Sequence, residues 1–167
     1  MSNERPKHYT PEMYDTAAAK VARSIVDAYG ERYGDEADLA TGIRKVIPGN
    51  HRDGYQMARA LDDEFACLID PDRDLVEALD NASHELYMAH KAAVRAWVAE
   101  QGIRPKLALG DKVRVTLEGT TWEGIIGEVD PELAEYVVSR PAKGEPVGSG
   151  RVLPCEQVEA ENPEART

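Results

Sequence analysis

At Gly102-Ile103-Arg104-Pro105 the chain changes its hydrophobic period. Before this point apolar residues recur at three- and four-residue steps, and after it they alternate between short glycine-containing turns. Glycine adopts the left-handed conformation that ends a helix, and proline cannot continue one. The sequence therefore predicts an α+β chain. An N-terminal helical bundle is expected over 10–102, a small all-β part over 107–159, and a polar, mobile tail over 160–167.

Thr10, Pro11 and Glu12 make a helix start, and Tyr14, Ala18, Val21, Ile25 and Ala28 form its apolar stripe. Arg23 and Asp27 stand four apart as an exposed pair. Gly30 and Gly34 weaken its end, and a second helix over 36–46 carries Leu39, Ile43 and Val46 inward. After a break at Ile47-Pro48-Gly49-Asn50, Asp53 caps a third helix over about 55–68, buried through Met57, Leu61 and Phe65. Asp70 and Pro71 open a long helix in which Leu75, Leu79, Ala82, Leu86, Ala89, Ala93 and Trp97 form one seam of nearly thirty residues. Such a seam serves as a bundle core or as a pairing surface for a second copy through Leu79, Leu86 and Trp97.

In the second part, Val113, Val115 and Leu117 alternate with Lys112, Arg114 and Thr116. Strands follow over 121–129, with Gly124 and Gly127 marking a bend or bulge, over 135–139, and as short closing pieces at 151–154 and 158–159. Gly110-Asp111-Lys112-Val113-Arg114-Val115, the Gly124/Gly127 strand and Val152-Leu153-Pro154 resemble the SH3-like, KOW-like family of small barrels. That resemblance implies a small SH3-like β-barrel, a fold used by RNA binders, peptide binders and structural modules alike. The stretch from Asp70 to Val115, a capped helix ending in Trp and leading through Pro into such a barrel, is similar to small proteins of tailed bacteriophages. That second resemblance implies no activity.

Composition narrows the function. Lys plus Arg is 20 and Asp plus Glu is 31, a formal charge of −11. From 107 to 167 there are 12 acidic and 6 basic residues. Phosphate attraction needs concentrated positive charge, so the balance argues against nucleic-acid binding. No run of about 20 apolar residues is present and the start is polar, so a cytoplasmic chain with no membrane contact is expected, and the resemblance just given implies a bacterial or phage type. Two cysteines, Cys67 and Cys155, make neither a disulfide framework nor an all-cysteine zinc site.

Candidate chemistry is sparse. His84-Glu85 and His90 invite comparison with the zinc-protease signature, but position 88 is Met, and two histidines six apart point about 120° away from each other on a helix. Asp62-Asp63-Glu64 and Glu77-x-x-Asp80 are similar to the carboxylate pairs of all-helical nucleotide pyrophosphohydrolases of the MazG type, which implies magnesium between facing helices. Here the residue three after Glu64 is Cys67. The Asn50-His51-Arg52-Asp53-Gly54 loop reads as a polar turn before a helix. Neither cysteine has a histidine setting, and no nucleophile elbow or phosphate loop occurs. No catalytic residue, metal or cofactor is therefore assigned.

The expected function is protein–protein interaction, with a homodimer through the long helix as one option. Partner binding is placed on the barrel at Arg114, Trp122 and Tyr136, next to the Pro141–Gly150 loop. Two alternatives remain. One is an acidic phage inhibitor seated in the basic groove of a host nucleic-acid-binding defence protein. The other is a pyrophosphohydrolase-like enzyme using Glu77 and Asp80.

Overall fold

A computed structural model describes residues 4–6, 9–47, 53–64, 71–117, 119–140 and 150–161. The chain divides into two compact units, Glu4–Ala93 and Val94–Thr167. The first is helical and the second is built on an antiparallel sheet, so the α+β class holds.

The helical unit begins with α1, Pro11–Tyr29, whose buried face is Met13, Ala17, Ala18, Val21, Ala22 and Ile25. The stripe is rotated from the expected one. Ala28 is exposed and Tyr14 only half-buried, because Met13, Ala17 and Ala22 take the inward positions. Thr10 occupies the cap with extended backbone, but its hydroxyl does not bond the helix N–H groups. It bonds the Glu12 side chain instead, which holds that carboxyl below its usual range. A 3-10 turn, Gly30–Tyr33, follows, and α2 covers Glu36–Val46 with Asp35 as its cap. Arg23 reaches across to Glu36 at 3.1 Å rather than to Asp27.

Helix α3 is Gly54–Glu64, and Asp53 accepts from the Gln56 N–H at 2.8 Å, as a cap should. The expected continuation through Phe65 to Leu68 lies outside the described residues, as do Pro48–Arg52 and Asp70. The long helix is two helices, α4 over Arg73–Asp80 and α5 over Ala82–Gln101, separated at Asn81. Its cap is Asp72, which accepts from Leu75 N–H at 3.0 Å. Leu75, Leu79 and Ala82 enter the main helical core with Val21, Ile25, Leu39, Ile43 and Leu61. Leu86 packs apart from them, against Met13 and Ala17.

In the second unit, β1 (Lys112–Leu117), β2 (Thr120–Asp130), β3 (Glu135–Ser139), β4 (Gly150–Pro154) and β5 (Val158–Ala160) form an antiparallel sheet in the order β4-β3-β2-β1-β5. Its ladder is open, with β4 and β5 at the edges. A 3-10 turn, Cys155–Gln157, joins those two strands. The β2–β3 register slips between Ile126 and Glu128, so the expected bulge sits at Gly127. Gly124 serves close packing: a Cβ there would lie 2.4 Å from Val138 and 2.9 Å from the Trp122 ring. Alternation puts Val113, Val115, Ile126, Tyr136, Val138 and Leu153 inside.

Candidate functional site

The Gly102–Pro105 junction also shapes a cleft of the sheet unit. At the end of α5, Gly102 adopts φ +63. Its N–H bonds the Ala99 carbonyl at 3.3 Å, and the Ile103 N–H bonds the Val98 carbonyl at 3.1 Å. This is the paired-bond helix end that a left-handed glycine permits. It folds Ile103 back onto the cluster of Val94, Trp97, Val98, Leu133 and Ala134. Further on, the Leu107 N–H donates to the Tyr136 hydroxyl at 2.9 Å, which fastens the strap of residues 103–107 to the sheet. On the other side, Asp130 accepts from Glu132 and Leu133 N–H groups at 3.0 Å each and closes the β2–β3 turn.

Between strap and turn lies a cleft of about 710 Å3, floored by Val98, Ile103, Pro105, Val129 and Pro131. Arg95, Ala99, Gly102, Arg104 and Glu132 complete its lining. Arg95 is paired with Glu132 at 3.0 Å. Arg104 is exposed, and no ion pair among the described residues engages it. A second cleft, about 410 Å3, shares Gly102, Ile103 and Arg104 and adds Lys106, Cys155 and Glu156. Arg104 thus stands on the lip of both.

The residues assigned to partner binding are not assembled into one surface. Arg114 is exposed on β1, opposite Glu123 of β2 and Glu159 of β5. Trp122 is half-buried, with the Arg140 guanidinium 4.7 Å from its ring centre. Tyr136 is 1% exposed and belongs to the core; its inward strand position and the bond to Leu107 explain why. The neighbouring loop, 141–149, lies outside the described residues. The self-association residues are also interior: Leu79 is 0%, Leu86 7% and Trp97 9% exposed. Each contributes to a different cluster of the chain's own core, so a second copy would have to displace that packing to reach them.

The carboxylates weighed for metal chemistry have other partners. Glu64 pairs with Lys45, Glu77 with Arg73 at 2.6 Å, and Asp80 accepts from the Gly54 N–H at 2.6 Å. Among the described residues no group of three or more His, Cys, Asp and Glu side chains is placed to hold a metal ion. His84 is exposed, while His90 is half-buried, its Nε2 3.1 Å from the Pro6 carbonyl and its ring edge-on to Tyr9.

One titratable cluster stands out in the helical unit. The Tyr33 hydroxyl donates to Asp72 at 2.6 Å, and Arg32 reaches Asp72 at 2.6 Å and Asp74 at 3.4 Å. Burial, reinforced by the bond to Asp72, pushes the Tyr33 phenol up. That bond, together with the Leu75 N–H, holds the Asp72 carboxyl below its usual range. The cluster ties the 3-10 turn to the start of α4, a structural clamp in which every polar group faces another.

Nothing in the sequence marks Leu133 and Ala134 as core or Arg104 as a cleft residue. The first two follow a Pro-containing turn, and Ala134 has φ +48, a conformation no pattern of residue types announces. The one available signal for Arg104 was its place beside the helix-ending glycine. Comparison with protein-family models, curated proteins and solved structures finds no match to this chain. Among the described residues no helix is long and apolar enough to cross a membrane.

Proposed function

We propose that this chain is a non-enzymatic interaction protein that docks a protein partner on its sheet unit. The observation that carries the reading is the apolar cleft between the 103–107 strap and the Asp130–Glu132 turn, lined by few polar groups. We also propose that the five strands follow an SH3-like plan. A last strand returning to pair with the first, and a 3-10 turn between the last two strands, support it.

Two other readings have less support. Carboxylate–magnesium catalysis needs carboxylates converging on open space, whereas Glu64, Glu77 and Asp80 already face their own cations or an N–H group. A nucleic-acid mimic needs an uncompensated row of negative charge. Many acids of the helical unit pair internally, as in Asp15–Arg44, Glu36–Arg23 and Glu85–Lys20.

The test has two arms. Thermal shift with magnesium, manganese and nucleoside triphosphates is expected to leave Tm unchanged, and stabilisation by any of them would overturn the non-enzymatic reading. Random peptides selected on the immobilised full chain are expected to converge on a consensus that Ala99→Trp abolishes. Ala99 is an exposed helix position on the cleft wall, so the larger side chain plugs the cleft without entering the core. Selection that survives the plug places docking elsewhere.

A further inference from the structure

Resting on that docking reading, we infer that the cleft receives an aliphatic peptide segment bearing a carboxylate, with the acid seated on Arg104. The floor is aliphatic and proline-rich, with Val98, Ile103, Pro105, Val129 and Pro131 and no aromatic platform. It rewards burial of branched apolar side chains rather than stacking. Its volume, about 710 Å3, lies in the range that holds a compact ligand.

The charge argument is local. In a chain of formal charge −11, the first cleft sets Arg95 and Arg104 against Glu132, and the second sets Arg104 and Lys106 against Glu156, so cations outnumber carboxylates in both. Arg95 is already neutralised by Glu132 at 3.0 Å. Arg104 has no such ion pair among the described residues, and both clefts open at its side chain. A guanidinium presents a planar fork that matches a carboxylate in two parallel bonds. Beside an apolar floor that displaces water, such a bond is stronger than one on an open face. The rest of the chain is acidic, but at physiological salt its field is screened within about 8 Å, so the nearest cation decides. By contrast Arg114, the other candidate cation, has Glu123 and Glu159 as its cross-strand neighbours.

The experiment uses the full chain and NMR amide shifts. Short acetylated peptides of mixed Leu, Val, Ile and Pro are made with a central Glu, Gln or Lys, and octanoate serves as the non-peptide carboxylate. The Glu pool is expected to shift the amides of Ala99, Ile103, Arg104 and Glu132 and to bind about tenfold tighter than the Gln pool, the factor one charge-assisted bond supplies. Arg104→Gln is expected to erase that advantage at unchanged Tm, and Arg104→Glu to transfer it to the Lys pool. Equal binding of all pools in the cleft overturns the acidic partner and leaves the docking reading standing. Shifts confined to the Arg114–Glu123 face of the sheet, or octanoate outcompeting every peptide, also overturn it. No shift with any pool overturns both readings.

Discussion

The helical unit and the sheet unit differ in what stands beside certain of their cations. In the helical unit, charged groups close on one another: Arg32 with Asp72 and Asp74, Arg44 with Asp15, Lys45 with Glu64, and Asp80 with a backbone N–H. In the sheet unit, Arg104 faces a cleft whose floor is apolar. Satisfied polar groups rigidify a structure, whereas a cation with no ion pair beside an apolar cleft is available to a ligand. On the docking reading proposed above, the first region supplies stability and the second recognition.

Both Trp residues, Trp97 and Trp122, lie in the sheet unit, so indole emission reports that unit, while far-ultraviolet circular dichroism is dominated by the helices. The largest effect is expected from Leu153→Ala. Leu153 is 3% exposed in the sheet core, and its truncation is expected to cost about 3 kcal/mol. Denaturant unfolding followed by emission checks this, and a cost under about 1 kcal/mol would mean that Leu153 is not core. Next comes Gly54→Ala in the helical unit. A Cβ at Gly54 would stand 2.1 Å from the Val76 carbonyl oxygen and 2.8 Å from the Asp80 nitrogen. Helices α3 and α4 must then move apart, and the Gly54 N–H to Asp80 bond is strained with them. About 2 kcal/mol of destabilisation is expected, read by circular dichroism. An unchanged midpoint would show that the helices do not approach this closely.

These two positions also show what the sequence made legible. Leu153 lies in a short apolar piece that reads as a closing strand, and its pairing with Tyr136 puts it, rather than the adjacent Val152, inside. Gly54 was visible only as part of a polar loop, because the atom that demands a glycine there belongs to Val76, far along the chain. Local rules placed α2, β1 and β3 within a residue, since capping, alternation and turn chemistry act over a few positions. The break at Asn81 escaped the pattern because the seam keeps its step across it while its residues enter different cores. The same limit applies to the site. Arg114 looked available because a strand pattern gives its face but not the carboxylates on neighbouring strands. Tyr136 looked like a surface aromatic because its hydroxyl partner, Leu107, sits in a linker.

A smaller effect, and a pH signature, is expected at Tyr33. Tyr33→Phe removes the bond to Asp72 and is expected to cost about 1 kcal/mol at neutral pH. The phenol is raised in the folded state, so its contribution is complete below about pH 10, the usual tyrosine value, and is lost as pH rises through the raised value. The Asp72 carboxyl is lowered, so its contribution is present above about pH 4 and is lost as pH falls through the lowered value. Wild-type stability should therefore fall on both sides of a neutral plateau, and Tyr33→Phe should flatten the alkaline limb and weaken the acid one. An alkaline limb that survives the substitution would detach the clamp from Tyr33.

The smallest effect, and the sharpest for the comparison, is expected at Arg114. It is exposed on β1 between Glu123 and Glu159 on the flanking strands, an arrangement worth a few tenths of a kcal/mol across a solvated face. Arg114→Ala is expected to change stability by less than about 0.5 kcal/mol. It is also expected to leave binding of the Glu peptide pool unchanged, because Arg114 stands on a strand face and does not line the cleft. Arg104→Gln shares the near-zero stability cost but abolishes the charge preference. The two arginines have the same chemistry and similar exposure, and they differ in what surrounds them. If Arg114→Ala reduced peptide affinity as much as Arg104→Gln, recognition would belong to the open face of the sheet rather than to the cleft beside the strap, and lining the cleft would no longer separate the two arginines.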